Sequence, residues 1–196
     1  SDCGTDTVVK VESSTGAIVE VDGLWEFRTL GDVEDVSPAI GQVGTLVTIT
    51  GSSLRGSGGE VATVDLAGER ATIVSESDTK VVVIAADGDA GTGDVVLTAD
   101  SEATVTLADG FEYATKGEIS EVSPSWGQVG TRVTIEGTAL RGAGNEVTTV
   151  TLAGVEVSKI ASESDTSVEV IAAESDEGIS VACFAVPPCR LSNSED

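Results

Sequence analysis

Apolar and polar side chains alternate along much of this 196-residue chain. The segment TLVTITG (45–51) places Val47 and Ile49 on one face of a strand and threonines on the other. KVVVIAA (80–86) and ATVTLADG (103–110) are further runs of strand length, and Gly-rich turns separate such runs. No segment sustains an apolar period of 3.6, so we expect very little helix. About seven short strands per repeat, with a turn every 8 to 12 residues, indicate a sandwich of two β-sheets.

The chain contains one long phrase twice. SPAIGQVGT begins at Ser37 and SPSWGQVGT begins at Ser123, which is 86 residues later (123 − 37). A period in the eighties is too long for a solenoid unit and suits a small domain with its own core. The repetition therefore predicts a tandem array of globular modules. The matching segments are 36–68 with 122–154 and, after one inserted residue, 75–86 with 162–173.

The two ends of the chain fall inside repeats. Residues 9–38 align with residues 96–124 once one extra residue is allowed beside Leu24, and no counterpart of GFEYA (110–114) follows the second copy. We therefore expect a window within a longer protein. Its predicted domains are the C-terminal half of a preceding repeat (1–30), a complete repeat (31–116) and a second repeat that lacks its last strand (117–196).

Proline and glycine explain the repeated phrase. Pro38 cannot donate a hydrogen bond to a ladder and should end the first strand at a sheet edge. Gly41 and Gly44 should permit backbone angles that other residues avoid, so that the chain turns back into the next strand. A phosphate-binding glycine loop would instead precede a helix, whereas a strand follows here.

These residues resemble a known family. The phrase VSPAIGQVGTLVTITGSSL, the later VTLAG-type strand and the closing GFEY are similar to the IPT/TIG domain, an immunoglobulin-like fold of the E-set kind. The resemblance covers nearly the whole chain and implies all-β, seven-stranded sandwiches arranged end to end. The residues that carry it are Pro38, Gly41, Gly44, Thr45, Val47, Ile49, Gly51, Gly68, Gly110, Phe111 and Tyr113, then Pro124, Gly127, Gly130, Thr131, Val133, Ile135, Gly137 and Gly154.

The resemblance implies two main settings. In extracellular proteins such modules form receptor stalks and adhesive or matrix rods, and in certain transcription factors a single copy assists dimerisation beside a DNA-reading domain. Single copies also accompany secreted carbohydrate-active enzymes. Close tandem repetition favours the extracellular setting.

The net charge of the chain argues against two classes of binding partner. Ten basic residues stand against 34 acidic ones, which gives a net charge of −24. Such a surface repels phosphate backbones and anionic lipids, so we expect neither nucleic acid nor direct membrane insertion. No apolar run approaches the roughly 18 residues of a membrane span.

Catalytic chemistry has few candidates, because the chain contains no histidine. Acid–base work would fall to paired carboxylates, none of which sits in a repeated apolar setting, and we therefore predict no enzymatic activity and no cofactor. The loop DGDAGTGD offers Asp87, Asp89 and Asp94 to calcium, although it fails the EF-hand template and a solvated acidic turn is the favoured interpretation. Carboxylates at the module junctions, namely Asp32, Glu34, Asp35, Glu118 and Glu121, form a second candidate calcium cluster.

Arginine and aromatic residues recur at matching positions. Arg55 and Arg141 lie in two LRG motifs, where each should pair with a local carboxylate and hold a loop, a ligand contact being the alternative. Trp25 aligns with Phe111 and Phe27 aligns with Tyr113, and we read all four as core anchors of a last strand. Trp126 follows the second strand-ending proline, where it should cover a junction or form an exposed contact.

Cysteine usage leaves the pairing open. Cys183 and Cys189 flank FAVPP, a spacing compatible with a disulfide that closes a hairpin, and Cys3 is left over. Cys183 could instead pair with a cysteine elsewhere. Neither asparagine heads a glycosylation sequon.

Together these features predict a structural or adhesive segment of a larger extracellular or cell-surface protein, acting as a semi-rigid rod. Its partners would be neighbouring repeats, other proteins or further copies of itself. The alternative is a receptor ectodomain that binds a protein or a carbohydrate.

Overall fold

The computed structural model describes residues 8–175, which form strands, turns and loops and contain no helix. Four residues, 114–117, separate the last strand of the first family-like repeat from the first strand of the next. The strands are β1 Val9–Glu12, β2 Ile18–Val21, β3 Asp32–Ser37, β4 Ile40–Gly41, β5 Leu46–Ser52, β6 Val61–Leu66, β7 Glu69–Glu76, β8 Lys80–Ile84, β9 Gly91–Ala99, β10 Thr104–Tyr113, β11 Glu118–Ser123, β12 Arg132–Thr138, β13 Thr151–Leu152, β14 Val155–Glu156, β15 Lys159–Glu163 and β16 Ser167–Ile171.

Strands β3 to β10 form a sandwich whose two layers share strand β7. The ladder runs β3-β5-β8-β7-β6-β9-β10-β4. The second half of β7 (Thr72–Glu76) pairs with β8, whereas its first half (Glu69–Ala71) pairs with β6. The strand therefore leaves one layer and enters the other, which closes an apolar core between them. The all-β, immunoglobulin-like prediction is confirmed.

Alternation builds this core. Val47 and Ile49 are fully buried on β5, while Leu46 on the opposite face is 56% exposed. Phe111 and Tyr113 of β10 face the same interior, and no polar or charged residue is buried among residues 8–175. Each fully buried aliphatic side chain stabilises the fold by about 1.5–3 kcal/mol. The remaining core residues are Val33, Val36, Leu54, Val61, Val64, Leu66, Ala71, Val81, Val83, Ala85, Val95, Leu97 and Val105.

The repeated phrase carries the chain from one layer to the other. Strand β3 ends at Ser37, as the position of Pro38 predicts, and two residues after Pro38 β4 pairs in parallel with β10. Gly44 has a φ of +87°, the left-handed region that favours glycine. The prediction for Gly41 is wrong, because its φ is not positive. Gly41 is instead buried against Thr45, whose Oγ1 would lie 2.5 Å from an added Cβ.

The second compact unit, described over residues 119–140 and 146–175, also consists of strands around an apolar cluster. Strands β11-β12-β16-β15 form one sheet and β13-β14 form a short hairpin. Val133, Ile135, Val168 and Val170 make up its buried cluster. These are the counterparts of Val47, Ile49, Val81 and Val83 in the first sandwich.

The N-terminal hairpin of β1 and β2 is exposed along both strands. Val19 is 73% exposed and Val11 is 64% exposed. Ile18 is 52% exposed whereas its aligned counterpart Val105 is buried in the first sandwich, and Val19 aligns with Thr106, which is exposed as well.

Candidate interaction surfaces

Two carboxylates of the acidic loop 87–94, the candidate calcium site, already bond to other residues of this chain. Lys116 forms an ion pair with Asp87, with 2.7 Å between Nζ and Oδ1. The hydrogen bond to Asp87 raises the pKa of Lys116, and the negative charge of Asp89 raises it further. Asp94 accepts a hydrogen bond from the Asp109 amide at 2.9 Å. Nowhere in residues 8–175 do three or more Asp, Glu, Cys or His side chains form a group that could hold a metal ion. The loop site at Asp87, Asp89 and Asp94 and the junction cluster both stay predictions.

Arg55 performs the structural role that its motif predicts. Its guanidinium binds Glu76 with two hydrogen bonds, from Nε at 3.0 Å and Nη2 at 2.8 Å. The same carboxylate accepts a bond from the Val61 amide at 3.2 Å, and the Arg55 amide donates to Asp78 at 3.1 Å. The hydrogen bond from Arg55 lowers the pKa of Glu76 and raises that of Arg55. The ion pair itself fastens the Gly-rich loop 55–59 to β7, the strand that carries Glu76.

The second repeat keeps the carboxylate of this arrangement and the amide hydrogen bond that it accepts. Glu163 accepts a bond from the Val147 amide at 3.3 Å, as Glu76 does from Val61. Arg141 occupies the position of Arg55 and also has an interaction partner. The pairing of the LRG arginine with a carboxylate is therefore shown for Arg55, and for Arg141 it stays a prediction.

The four aromatic residues aligned by sequence fall into two classes. Phe111 and Tyr113 are buried and meet edge to face, with ring centroids 5.1 Å apart, as predicted. Trp25 and Phe27 keep a similar edge contact at 5.8 Å, yet they are 58% and 83% exposed. The core prediction for this second pair is therefore wrong, because no described strand covers them.

The buried hydroxyl of Tyr113 makes no hydrogen bond within the described residues. Its oxygen is buried near the Ala86 main chain without a hydrogen bond of good geometry. Burial raises its pKa, and the nearby charges of Glu69 and Asp87 raise it further.

Two open clefts border the exposed aromatics. The first, of about 410 Å³, is lined by residues 25–31 together with Gly56, Ser57 and residues 101 and 103–105. The second, of about 560 Å³, lies in the second unit between Val122, Trp126 and Gly127 on one side and Leu152, Val155 and Ala172 on the other. Trp126 is 78% exposed, so it forms an open contact point, the second of its two predicted roles. Sequence analysis missed the first cleft because it assigned Trp25 and Phe27, which line it, to a core.

The three cysteines, including the proposed pair Cys183 and Cys189, lie outside the described residues. The disulfide stays a prediction. The described residues hold no helix that is long and apolar enough to cross a membrane.

Comparison with known proteins identifies the repeated unit. The model of the IPT/TIG domain, a non-enzymatic immunoglobulin-like module, matches residues 33–113 and 118–189. No curated protein matches the chain.

Several solved structures are similar to the chain. The full extracellular region of plexin A4 superposes with a TM-score of 0.56 and 19% identity, over 90% of this chain and 16% of that one. A Bacteroides ovatus mixed-linkage glucan utilization protein, solved with a mixed-linkage heptasaccharide, gives a TM-score of 0.36 and 18% identity over 87% of this chain and 44% of that one. The γ-CGTase of an alkalophilic Bacillus clarkii gives 0.40 and 19% over 56% and 18%. The chain thus spans about a sixth of the length of the plexin A4 region whose fold it shares.

Proposed function

Because the chain belongs to the IPT/TIG domain family, we propose that it is a non-enzymatic structural and adhesive segment of a larger extracellular or cell-surface protein. In this role it holds other domains at a distance as a semi-rigid array. Its partners are neighbouring modules, other proteins or further copies of the same chain.

One observation carries the proposal: the same family module occurs twice with almost no linker. Only residues 114–117 lie between β10 and β11. Short connections restrict hinge motion, whereas a long flexible linker would let the modules tumble independently. A spacer needs that restriction more than an isolated binding domain does.

The composition of the surface supports an extracellular setting. A net charge of −24 repels nucleic acid and anionic membranes, and salt outside the cell screens the repulsion between neighbouring chains. Weak contacts repeated along an array also add through avidity, which suits adhesion.

Small-angle X-ray scattering of the monomeric chain tests the proposal. A single compact domain of 196 residues would have a radius of gyration of about 16 Å. The array should scatter as a longer particle, and a flexible nine-residue Gly/Ser insertion after residue 116 should broaden its distance distribution. A compact particle, or a distribution that the insertion leaves unchanged, would contradict the proposed role.

The alternative function is ligand recognition by a receptor ectodomain, and the first cleft supports it. Its exposed rings, Trp25 and Phe27, present flat apolar faces of the kind that stack on sugars or on a protein side chain. A glycan array screened with the chain and with its Trp25→Ala variant separates the two roles. Binding that Trp25→Ala abolishes would favour the receptor role.

Calcium binding at Asp87, Asp89 and Asp94 is a separate proposal. Thermal melting in millimolar calcium tests it. A rise in Tm that Asp89→Asn removes would support the site, whereas an unchanged Tm would eliminate it.

A further inference from the structure

The glutamine of the repeated phrase GQVGT recurs as Gln42 and Gln128. The main chain of Gln42 is held in the turn, because its amide donates to Thr45 Oγ1 at 3.0 Å and its carbonyl accepts from the Thr45 amide at 3.0 Å. These two bonds use the backbone of Gln42 and the side chain of Thr45. The turn therefore forms without the carboxamide of Gln42, which is left to serve another purpose.

This turn and the acidic loop lie at the same corner of the first sandwich. The Gly44 amide donates to the Ala85 carbonyl at 2.9 Å, and the Ala85 amide donates to the Thr45 carbonyl at 2.9 Å. Ala85 is buried and stands two residues before Asp87. The side chains of Gln42 and Asp87 thus extend from one corner whose main chain is held by hydrogen bonds.

The segment 114–117, which joins the two repeats, is bonded to this corner at both of its ends. The Ala114 amide donates to the Gly41 carbonyl at 2.7 Å. The Gly117 amide donates to the side chain of Gln42, with 3.2 Å between the nitrogen and Oε1. The carboxamide of the repeated phrase therefore binds the last residue before the next strand.

Lys116 is held between these two points by charge. Its Nζ lies 2.7 Å from Asp87 Oδ1, and the two side chains are 50% and 67% exposed. The hydrogen bond to Asp87 raises the pKa of Lys116, and the charge of Asp89 raises it further, so the ammonium stays protonated at neutral pH. Salt screens an exposed ion pair of this kind, whereas it has much less effect on a hydrogen bond between neutral amides.

These bonds leave little freedom in the segment. Strand β11 begins at Glu118, directly after the residue that Gln42 binds. Four unbonded residues would be enough for a hinge, since a few loop residues absorb large changes of φ and ψ. A segment bonded at its first, third and fourth residues has few backbone angles that vary without breaking a contact. Gln42 and Asp87 therefore restrict hinge motion beyond what the short length does.

The charged contact is particular to this segment. In the aligned stretch 27–32, which reads FRTLGD, Leu30 stands where Lys116 stands in YATKGE (113–118). A leucine cannot pair with a carboxylate, so the repeat pattern itself does not require a lysine here. Lys116→Leu is consequently a substitution that the chain already contains at the matching position.

We propose that Gln42 and Asp87 fasten the segment 114–117 to the first sandwich, and that salt loosens the contact of Asp87, so that ionic strength regulates the stiffness of the array. This inference deepens the proposed structural role and rests on it. The first residue of the acidic loop then binds a cation that the chain itself supplies, the ammonium of Lys116. Gln42 provides the contact that persists when salt screens the ion pair.

Amide hydrogen exchange of the full chain, measured by NMR, tests the contact of Gln42. Gln42→Ala should speed exchange of the Gly117 amide about two- to tenfold, as expected for the loss of one hydrogen bond. Gln42→Glu keeps an acceptor oxygen and should not speed it. Gln128→Ala makes the same change in the second repeat and should leave the Gly117 amide unaffected. An exchange rate of Gly117 that Gln42→Ala leaves unchanged overturns the proposal.

Nitrogen-15 relaxation tests the contact of Asp87. At about 0.05 M NaCl the order parameter of Lys116 should be near about 0.85, the value of rigid backbone, and it should fall at about 0.5 M NaCl. Lys116→Leu should lower the order parameter of residue 116 at both salt concentrations, whereas Lys116→Arg should behave as the unmodified chain. Lys159→Leu removes the same charge elsewhere and should change nothing at position 116. An order parameter that neither salt nor Lys116→Leu lowers overturns the proposal.

The distance between spin labels on the two repeats separates this proposal from the structural role. The double variant Gln42→Ala, Lys116→Leu should broaden the distance distribution. A distribution that is narrow in the unmodified chain and stays narrow in the double variant refutes the fastening and leaves the structural role standing. A distribution that is already broad in the unmodified chain refutes the structural role and this proposal with it.

Discussion

Replacing Phe111 by alanine tests the assignment of core and surface most sharply, because the chain supplies its own control. Phe111 is fully buried and packs edge to face on Tyr113, whereas the aligned Trp25 is 58% exposed. Removing a buried phenylalanine typically costs about 3–5 kcal/mol, from lost transfer free energy together with the cavity left behind. A module of about 86 residues has a total stability of only about 4–13 kcal/mol, so Phe111→Ala should bring the first sandwich close to unfolding.

The same truncation at position 25 should cost less than about 0.5 kcal/mol, as is usual for exposed sites. Hydrogen exchange read by mass spectrometry on peptides from β5 and β9 separates the first sandwich from the rest of the chain. Both tryptophans lie outside strands β3 to β10 and would report it poorly by fluorescence. Equal losses of protection in the two variants, or a loss below about 1 kcal/mol for Phe111→Ala, would refute the assignment of the core.

Three further substitutions probe individual contacts. The pKa of Glu76 is lowered in the fold by its hydrogen bond from Arg55, so its stabilising contribution is present above the ordinary glutamate pKa and disappears as pH falls through the lowered value. Glu76→Gln should therefore reduce the urea midpoint at pH 7 and flatten its decline towards pH 3; an unchanged acid limb would contradict this. Gly41→Ala should cost about 1–3 kcal/mol in urea unfolding because the added methyl meets Thr45, and a neutral result would show that the turn can relax. Tyr113→Phe removes a buried hydroxyl that has no hydrogen-bond partner, so its Tm should stay level or rise, and a fall would reveal a partner for that oxygen.

The sequence predicted the sandwich well because local rules and tertiary packing agree there. Alternation on β5 places Val47 and Ile49 inward, and the LRG arginine at position 55 finds its carboxylate in Glu76. Both features depend on residue types with strong preferences, an apolar side chain at every second position and a guanidinium that needs an anion. Gly44 likewise follows from its local backbone conformation alone.

The errors arise where a residue's role depends on what surrounds it. Gly41 is required by the side chain of Thr45, a contact that no local backbone rule reveals. Trp25 and Phe27 carry the signature of a last strand, yet burial needs the opposing strands as well.

Distance measurement between the two sandwiches tests the central claim, a semi-rigid array of modules, most directly. Thr79 and its counterpart Thr166 are exposed turn residues, and spin labels on cysteines at these positions, in a chain whose native cysteines are replaced, report one inter-module distance by pulsed electron paramagnetic resonance. The account predicts a single narrow distance distribution that widens when a Gly/Ser linker follows residue 116. A broad distribution in the unmodified chain would contradict it.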